Sequence, residues 1–278
     1  MMFVTMSFVL VHKGLYISAP VDAILCTSAK AGSTSTHKWL NDVSWNTTGR
    51  KPNCSVVGGN FPIFHPTNRL YDACWGGGRL KFEAASTTVY THRVTHSTLQ
   101  LAIVRDPIAR AVSAFMSKVA CKKEYPRCTM DNGTNRQKMV PYLLKMAGLS
   151  DPEQRCLTFT GYLDALRAFK REAGSLTKMT NTHFATQTTH GVCNLTRPDL
   201  QLAFLETLST DPHSPIQLLY NRLRVDGELP PPIGHTHATV KSAKCVVPVP
   251  SEQQIHLLRW LYAEDYEALE SRRAVHEQ

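Results

Sequence analysis

The sequence lacks the residue spacings that mark several common functional sites. Its eight cysteines include no Cys-x-x-Cys pair, so the usual zinc-ribbon pattern is missing. The Walker pattern G-x-x-x-x-G-K-[ST] cannot be written anywhere in the chain. No run of about 20 apolar residues, the length of a membrane-spanning helix, occurs, and there is no internal repeat or low-complexity tract. These absences argue against a zinc module, a standard Walker-type NTPase and a multi-span membrane protein.

The amino-terminal segment, residues 1–19, also lacks the features of a clear signal peptide. It has neither a basic beginning nor a small-residue cleavage site, and its apolar run, Met1 to Val11, is too short to span a bilayer. We interpret this segment as a strand or as the remnant of a signal anchor. Residues 20–278 are assigned to a single domain, because α/β domains often exceed about 200 residues.

The composition is that of an ordinary globular protein with an excess of positive charge. Of the 278 residues 42% are hydrophobic and 19% are charged, and the formal net charge is +9. This charge favours anionic partners such as nucleotides, acidic glycans, nucleic acid or anionic membrane surfaces. Nucleic acid is the weakest of these candidates, because no recognised module with interleaved basic and aromatic residues is present.

The even number of cysteines and four glycosylation sequons favour an oxidising, secretory compartment. The sequons begin at Asn46, Asn53, Asn132 and Asn194. Disulfides Cys121–Cys128 and Cys54–Cys74 would each close a loop, although sequence alone cannot fix connectivity. Cys26 lies in an apolar strand pattern and is predicted to be a buried free thiol.

The stretch "ILCTSAKAGSTSTHKWL", residues 24–40, begins as a buried strand and continues as a helix. Between them lies a turn of small residues, and such a strand-to-helix turn presents unpaired backbone N–H groups to an anion. Gly32 permits close approach of a ligand, and Lys30 supplies a positive charge. The predicted anion-binding residues are Lys30, Ala31, Gly32, Ser33, Thr34 and Ser35.

The stretch "LQLAIVRDPIARAVSAF" repeats the strand-to-helix arrangement at residues 99–115. Arg105 ends the strand and Ser113 follows about two turns into the helix, where a guanidinium and a hydroxyl can bind a second phosphate. In the alternative interpretation, Arg105 and Asp106 form a structural pair and Arg110 lies on a solvated helix face. Ligands of open α/β sheets bind at the carboxyl ends of the strands. Two anion sites there indicate a ligand with two separated phosphate-like groups.

The remaining patterns predict an α/β fold, a P-loop-like central parallel sheet flanked by helices. The further predicted elements are a strand over 86–94 and helices over 137–148, 158–172 and 251–273, the last with Ser251 as its N-cap. A polar loop is predicted between residues 121 and 136.

The two junction segments resemble the 5′-phosphosulfate loop and the 3′-phosphate segment of sulfotransferases, in the same order. The chain is more specifically similar to the Golgi carbohydrate sulfotransferases, the group that contains the chondroitin and dermatan 4-O-sulfotransferases. "NTHFATQTTHGVC" (181–193) and "LLRWLYAEDYEAL" (257–269) resemble two further family segments. Departures are Ala29 for the usual Pro, Thr36 and His37 for a Trp, Phe184 for a Trp, and the missing signal anchor.

The resemblance implies 3′-phosphoadenosine 5′-phosphosulfate (PAPS) as donor, without a metal, and a sugar hydroxyl as acceptor. Lys30 would neutralise the departing phosphate oxygen, and Arg105 with Ser113 would hold the 3′-phosphate. The location implied is the Golgi lumen or membrane, with membrane contact only through an amino-terminal anchor. Basic residues after the second junction would receive an acidic glycosaminoglycan or present a solvated face: Lys118, Lys122, Lys123 and Arg127.

Transfer to a hydroxyl requires a general base, and twelve histidines are available. His92, at the end of a predicted strand ahead of the 3′-phosphate segment, is the first candidate. His183, in the family-like segment predicted to line the acceptor groove, is the second, and His65 the third. Each could equally be a structural or surface histidine.

Two other functions fit parts of the pattern. A nucleotide kinase or other P-loop-type NTPase would need a carboxylate for magnesium at a strand end, where Asp106 is the obvious candidate. A non-catalytic nucleotide- or glycan-binding protein with a decayed site is the other alternative, although Lys30, Gly32, Arg105 and Ser113 are all intact.

Overall fold

The structure of the chain, a computed structural model, describes residues 14–17, 21–28, 31, 35–36, 39–40, 43, 82–84, 92, 94–125, 133–149, 154–188, 193–208, 210–224, 229, 233 and 246–276. The strands are β1 (Gly14–Ile17), β2 (Ala23–Thr27), β3 (Phe82–Ala84), β4 (Leu99–Val104) and β5 (Gln201–Phe204). The six labelled α-helices of the described part are α1 (Pro107–Lys118), α2 (Gly133–Met146), α3 (Phe159–Ala173), α4 (Ile216–Arg222), α5 (Glu252–Leu261) and α6 (Ala263–His276).

The five strands form one sheet in the order β3-β1-β2-β4-β5. β2, β4 and β5 are parallel, whereas β1 pairs antiparallel with both β2 and β3. Every residue of β2 and β4 is buried, as expected for central parallel strands covered on both faces. The predicted α/β fold with a parallel sheet flanked by helices is therefore confirmed in a single domain.

The two faces of the sheet pack against different layers, because successive strand side chains point to opposite sides. Leu25 and Leu101 belong to the cluster that includes Trp39 and α4, whereas Ile24 and Ala102 belong to the one that includes the middle of α6. A third cluster lies among α1, α2, α3 and α5, around Phe115, Tyr162 and Phe184, which lie in successive ring contacts. This helical layer holds α1 and so fixes the second junction.

The helix predicted over 251–273 is divided at Tyr262 into α5 and α6. Its start is confirmed, since Ser251 and Gln254 form a reciprocal capping box. At the division, the ammonium of buried Lys170 donates to the carbonyls of Trp260 and Leu261 at 2.7 and 3.1 Å. These interactions satisfy carbonyls at a helix end, and they come from α3, which a local helix pattern cannot register.

Two other elements differ from the sequence expectation. His92, predicted to end a strand over 86–94, has helical backbone, and residues 86–91 lie outside the described residues. β5 was not predicted; it has only four residues and half-buried ends, so its apolar pattern is weak. β5 completes the parallel part of the sheet by pairing with β4. Among the described helices, none combines the length and apolar character needed to cross a bilayer.

Among the described residues, two disulfides connect distant parts of the chain. Cys26 in β2 is bonded to Cys193, 167 residues later, and Cys121 is bonded to Cys156. The predictions of a free Cys26 thiol and of a Cys121–Cys128 pair are therefore wrong, because both partners come close only through folding. Cys54, Cys74 and Cys128 lie outside the described residues.

Non-reducing peptide mapping should recover linked peptides containing Cys26 with Cys193 and Cys121 with Cys156. The Cys193→Ala variant should lose about 2–5 kcal/mol of the free energy of unfolding, because the cross-link no longer restricts the unfolded chain. Cys26→Ala/Cys193→Ala should cost about as much as the single change. A linked peptide joining Cys121 to Cys128 would contradict the connectivity.

Candidate active site

The two anion sites predicted from the sequence follow neighbouring strands, and the chain leaves both strands at the same edge of the sheet. β2 and β4 are adjacent and parallel, and Thr27 pairs with Ile103 at the last rung of their ladder. By the same register Ser28 lies opposite Val104, so Ser28 and Arg105 lie close together at the carboxyl ends of these strands. We call this region, defined by Ser28, Ala31, Arg105 and Asp106, the carboxyl rim. It is the position at which open α/β sheets bind ligands.

The first junction is described in part. After β2 the chain turns, and the amide of Ala31 donates to the carbonyl of Ser28 at 3.2 Å. Ala31 is buried, and Ser35 and Thr36 already have helical backbone. The strand-turn-helix order predicted for this segment is present, whereas Lys30, Gly32, Ser33 and Thr34 lie outside the described residues.

At the second junction, Asp106 and Pro107 start α1. The Asp106 carboxylate accepts from the amide of Ala109 at 2.8 Å, and Pro107 occupies the first helical turn. Asp106 therefore has a structural role as the cap of α1, which differs from the pair with Arg105 considered from the sequence. The alternative placement of Arg110 on a solvated face is wrong, because Arg110 is completely buried.

Arg105 has its guanidinium at the carboxyl rim beside an acidic partner that the sequence did not indicate. Its Nε lies 3.5 Å from a carboxylate oxygen of Glu206, which follows β5, and its side chain is 28% exposed. Burial lowers the pKa of Arg105, and the carboxylate of Glu206 opposes that shift. Ser113 is half-buried on α1. Arg105 is thus partly desolvated yet accessible, as an anion-binding arginine must be.

Gln187 connects the two junctions directly. Its carboxamide oxygen accepts from the Arg105 amide at 2.9 Å and from the Ser28 hydroxyl at 3.2 Å. Its carboxamide nitrogen donates to the Arg105 carbonyl at 2.7 Å. Because the Val104 carbonyl accepts from Leu205 beside β5, the polar groups of Arg105 face the β2 side, one rung beyond the ladder. Gln187 replaces the missing strand neighbour there, and it is only 3% exposed.

The segment that carries Gln187, residues 182–188, is held by the carboxyl-terminal helix. The buried carboxylate of Asp265 in α6 accepts from the backbone amide of Gln187 at 2.7 and 2.9 Å, and from that of Thr188 at 2.7 Å. The hydroxyl of Tyr262 donates to the carbonyl of Phe184 at 3.1 Å. These contacts explain why the segment is fixed although it has no regular secondary structure.

Arg110 connects the same segment to α1. Its guanidinium donates to the carbonyl of Thr182 at 2.9 Å. Burial raises the pKa of Asp265, and the positive charge of Arg110 with the amides of Gln187 and Thr188 opposes the rise. Arg110 and Asp265 thus balance each other's charge on either side of the 182–188 segment, one from each flanking helix.

Of the three histidine candidates, His65 lies outside the described residues, and the other two are placed differently. His92 is exposed. His183 is half-buried beside Phe184, and its Nδ1 lies 3.0 Å from the Oδ1 of Asn181. That oxygen also accepts from the His183 amide at 3.0 Å, which identifies it as the carbonyl oxygen. An acceptor there places the proton of a neutral His183 on Nδ1 and the ring lone pair on Nε2.

The basic residues at the end of α1 and after it do not form one surface. Lys118 is buried, whereas Lys122 and Lys123 are exposed next to the Cys121–Cys156 disulfide. Arg127 lies outside the described residues. Lys122 and Lys123 are therefore the two that the described surface presents to an acidic partner.

The model of the "Sulfotransferase family" matches residues 77–270, well over half of the chain. The chain belongs to the sulfotransferase family. No curated protein and no solved structure matches it. The matched span contains Arg105, Ser113, Gln187 and Asp265, and it begins after the Lys30 turn. Family membership establishes the chain as a transferase of sulfuryl groups in general terms.

Three residues of this site were missed by reasoning from the sequence: Gln187, Glu206 and Asp265. Gln187 stood inside the segment 181–193 that resembles the family, but its partners are 82 and 159 positions away. Glu206 follows the short β5, and Asp265 occurs in a strongly charged helical pattern. A polar residue in a half-apolar helix is ordinarily exposed, so only the fold reveals that Asp265 is buried.

Asp265→Ala should lower the free energy of unfolding by about 3–5 kcal/mol, because it leaves the buried Arg110 without its counter-charge. Asp164→Ala is the matched control, since Asp164 pairs with Arg167 on α3 with both side chains more than 40% exposed; it should cost less than about 1 kcal/mol. Urea unfolding measures both. Equal losses in the two variants would contradict the role assigned to Asp265.

Proposed function

We propose that this sulfotransferase transfers the sulfuryl group of PAPS to a hydroxyl of a carbohydrate, in the manner of the Golgi carbohydrate sulfotransferases. The observation that carries the proposal is the Gln187 carboxamide, which contacts Ser28 and Arg105 together. It brings the two junctions with anion-binding chemistry to adjacent positions on the carboxyl rim. A ligand with separated 5′ and 3′ phosphate groups fits two such neighbouring sites.

The donor-binding roles follow from the chemistry of each residue. Arg105 offers a planar, permanently charged group to the 3′-phosphate, and Ser113 adds a hydroxyl from the same strand-to-helix unit. The backbone amides of the first junction hold the 5′-phosphate at the start of a helix. Lys30 balances the charge that develops on the departing phosphate oxygen when the sulfur–oxygen bond breaks.

A histidine takes the proton of the acceptor hydroxyl while its oxygen bonds to sulfur. Among the described residues, His92 and His183 are the candidates, and the hydrogen bond that the Nδ1–H of His183 donates to Asn181 supports His183. It leaves the Nε2 lone pair as the basic site of the neutral ring. His183 also belongs to residues 182–188, the segment that carries Gln187, so it is anchored to the same framework as the donor-binding residues.

The acceptor and the location are proposed from the surface charge and the disulfides. Lys122 and Lys123, exposed beside a disulfide, favour an acidic glycosaminoglycan as the acceptor. The two disulfides and the sequon at Asn194 agree with folding in an oxidising lumen such as that of the Golgi. Membrane contact is proposed only through an amino-terminal anchor.

A nucleotide kinase is the alternative that uses the same rim. It needs a carboxylate at the strand end for magnesium, and Asp106 is committed to capping α1 through the amide of Ala109. Magnesium-dependent turnover of ATP by the purified protein would favour the kinase. Donor binding without any transfer would favour a non-catalytic binding protein.

Purified protein incubated with PAPS carrying labelled sulfate and a panel of glycosaminoglycans should yield a labelled glycan. Lys30→Ala and Arg105→Ala should each abolish transfer, and donor affinity should fall most in Arg105→Ala, because removing the bidentate phosphate contact costs about tenfold or more. Transfer at the parental rate in either variant would refute the role of that residue.

Arg197→Ala provides the matched control for Arg105→Ala. Arg197 is also a partly buried arginine, with 18% of its side chain exposed, and it forms an ion pair with the half-exposed Asp199. It precedes β5, at the end of the sheet opposite the carboxyl rim. Its loss should leave donor affinity within about twofold of the parental value, so a similar decline in both variants would indicate a general effect of charge.

Alanine substitution of the base should lower kcat by about 10²–10⁴-fold and remove the acidic limb of the pH–rate profile. We expect this result for His183→Ala, and a smaller, pH-independent effect for Asn181→Ala, which only orients the ring. His92→Ala is the direct competitor, and exposed His256→Ala on α5 is the control. If His92→Ala, and not His183→Ala, showed the large loss of kcat and of the acidic limb, the base would be His92.

A further inference from the structure

We infer that Gln187 is a positioning residue that sets the distance between the 5′-phosphate and 3′-phosphate sites of the donor. This inference rests on the proposed function. It assigns a specific task to Gln187, an uncharged residue that is not one of the proposed phosphate-binding residues. The three hydrogen bonds of its carboxamide use both polar atoms of the side chain. Because the oxygen and the nitrogen of this carboxamide bond a backbone and a hydroxyl of the site, Gln187 can position the residues that surround the ligand.

The Arg105 backbone needs such a partner because β2 ends before the position that would pair with Arg105. The last paired rung joins Thr27 to Ile103, so the described residues of β2 do not extend far enough to pair with Arg105. Buried or half-buried backbone groups without partners are costly. Gln187 satisfies both groups at 2.9 and 2.7 Å, and so fixes the backbone from which the Arg105 side chain extends.

The contact with Ser28 makes Gln187 a spacer as well as a local support. Ser28 is the first residue after β2, and its carbonyl accepts from Ala31 in the turn of the first junction. The same Gln187 oxygen that accepts from Arg105 also accepts from the Ser28 hydroxyl. One atom therefore joins the starts of both junctions, and its loss would allow each to move separately.

The backbone from which the Gln187 side chain extends is itself held in a fixed place. The backbone amide of Gln187 donates to Asp265 in α6, and Cys193, five residues past Thr188, is bonded to Cys26 in β2. The contacts with Asp265 involve the backbone only, so a substitution of the Gln187 side chain leaves them in place. This separation allows the positioning role to be tested without removing the anchor of the segment.

A ligand that occupies two sites gains affinity from the second contact only when the distance between the sites matches the ligand. Loss of the spacer should therefore weaken a bisphosphate more than a monophosphate. A residue with a purely structural role would weaken both equally or neither. The preference for a bisphosphate over monophosphates is the readout that separates the two roles.

The experiment measures the binding of adenosine 3′,5′-bisphosphate, adenosine 5′-monophosphate and adenosine 3′-monophosphate to the full chain by calorimetry. In Gln187→Leu the Kd of the bisphosphate should rise about 10–100-fold, whereas the Kd of each monophosphate should change less than about threefold. The donor KM should rise in parallel, with the acceptor KM unchanged.

Gln100→Leu is the matched control. Gln100 is a buried glutamine of β4 whose carboxamide bonds Asp199 at 2.9 Å and Arg197 at 2.6 Å, near the opposite end of the strand. It should retain the parental preference for the bisphosphate. Gln187→Glu serves if Gln187→Leu does not fold; it keeps the size of the side chain but places a carboxylate oxygen against the Arg105 carbonyl, and it should also lose the preference.

The outcomes separate this inference from the proposed function. If the parental protein binds the bisphosphate no more tightly than the monophosphates, the proposed donor and the inference both fail. If the parental protein prefers the bisphosphate and both Gln187 variants keep that preference, the positioning role is overturned while the proposed function stands. Equal weakening of all three ligands in the Gln187 variants also overturns the positioning role, because it shows general destabilisation.

Discussion

The carboxyl rim depends on one buried carboxamide, that of Gln187, at the point where the parallel sheet stops supplying hydrogen bonds. Parallel strands expose unpaired backbone groups at their ends, and these groups attract ligands only when they are held in a defined position. Gln187 satisfies the backbone of Arg105 and contacts Ser28. The rest of the fold around this residue can be understood as the means by which an irregular segment is kept fixed.

Residues 182–188 are kept in place by charge balance and by a cross-link. Asp265 and Arg110 are both completely buried, and they hold residues 182–188 between α6 and α1. Two opposite buried charges add little net stability over apolar side chains, but the loss of one of them is strongly destabilising. The Cys26–Cys193 disulfide then ties the chain beyond the segment to β2. These interactions favour one arrangement of the rim over its alternatives.

The division between α5 and α6 belongs to the same arrangement. If the helix continued without interruption through residue 262, the turns of α6 would follow the axis of α5. The division instead allows the Tyr262 hydroxyl to reach the carbonyl of Phe184 and Asp265 to reach the amides of Gln187 and Thr188. Lys170 satisfies the carbonyls that the division exposes. The division of the carboxyl-terminal helix is thus linked physically to the carboxyl rim.

The sequence by itself determined the elements whose signal is local. The buried runs of β2 and β4, the Asp106-Pro107 start of α1 and the Ser251 cap are encoded by neighbouring residues, and Arg105 is recognisable because it follows a strand directly. Tertiary structure alone decided the partners that are far apart along the chain: Gln187 with Arg105, Asp265 with Gln187, and Cys26 with Cys193. The physical reason is that burial and pairing of a polar side chain depend on which surfaces pack together, and no spacing within one segment records that.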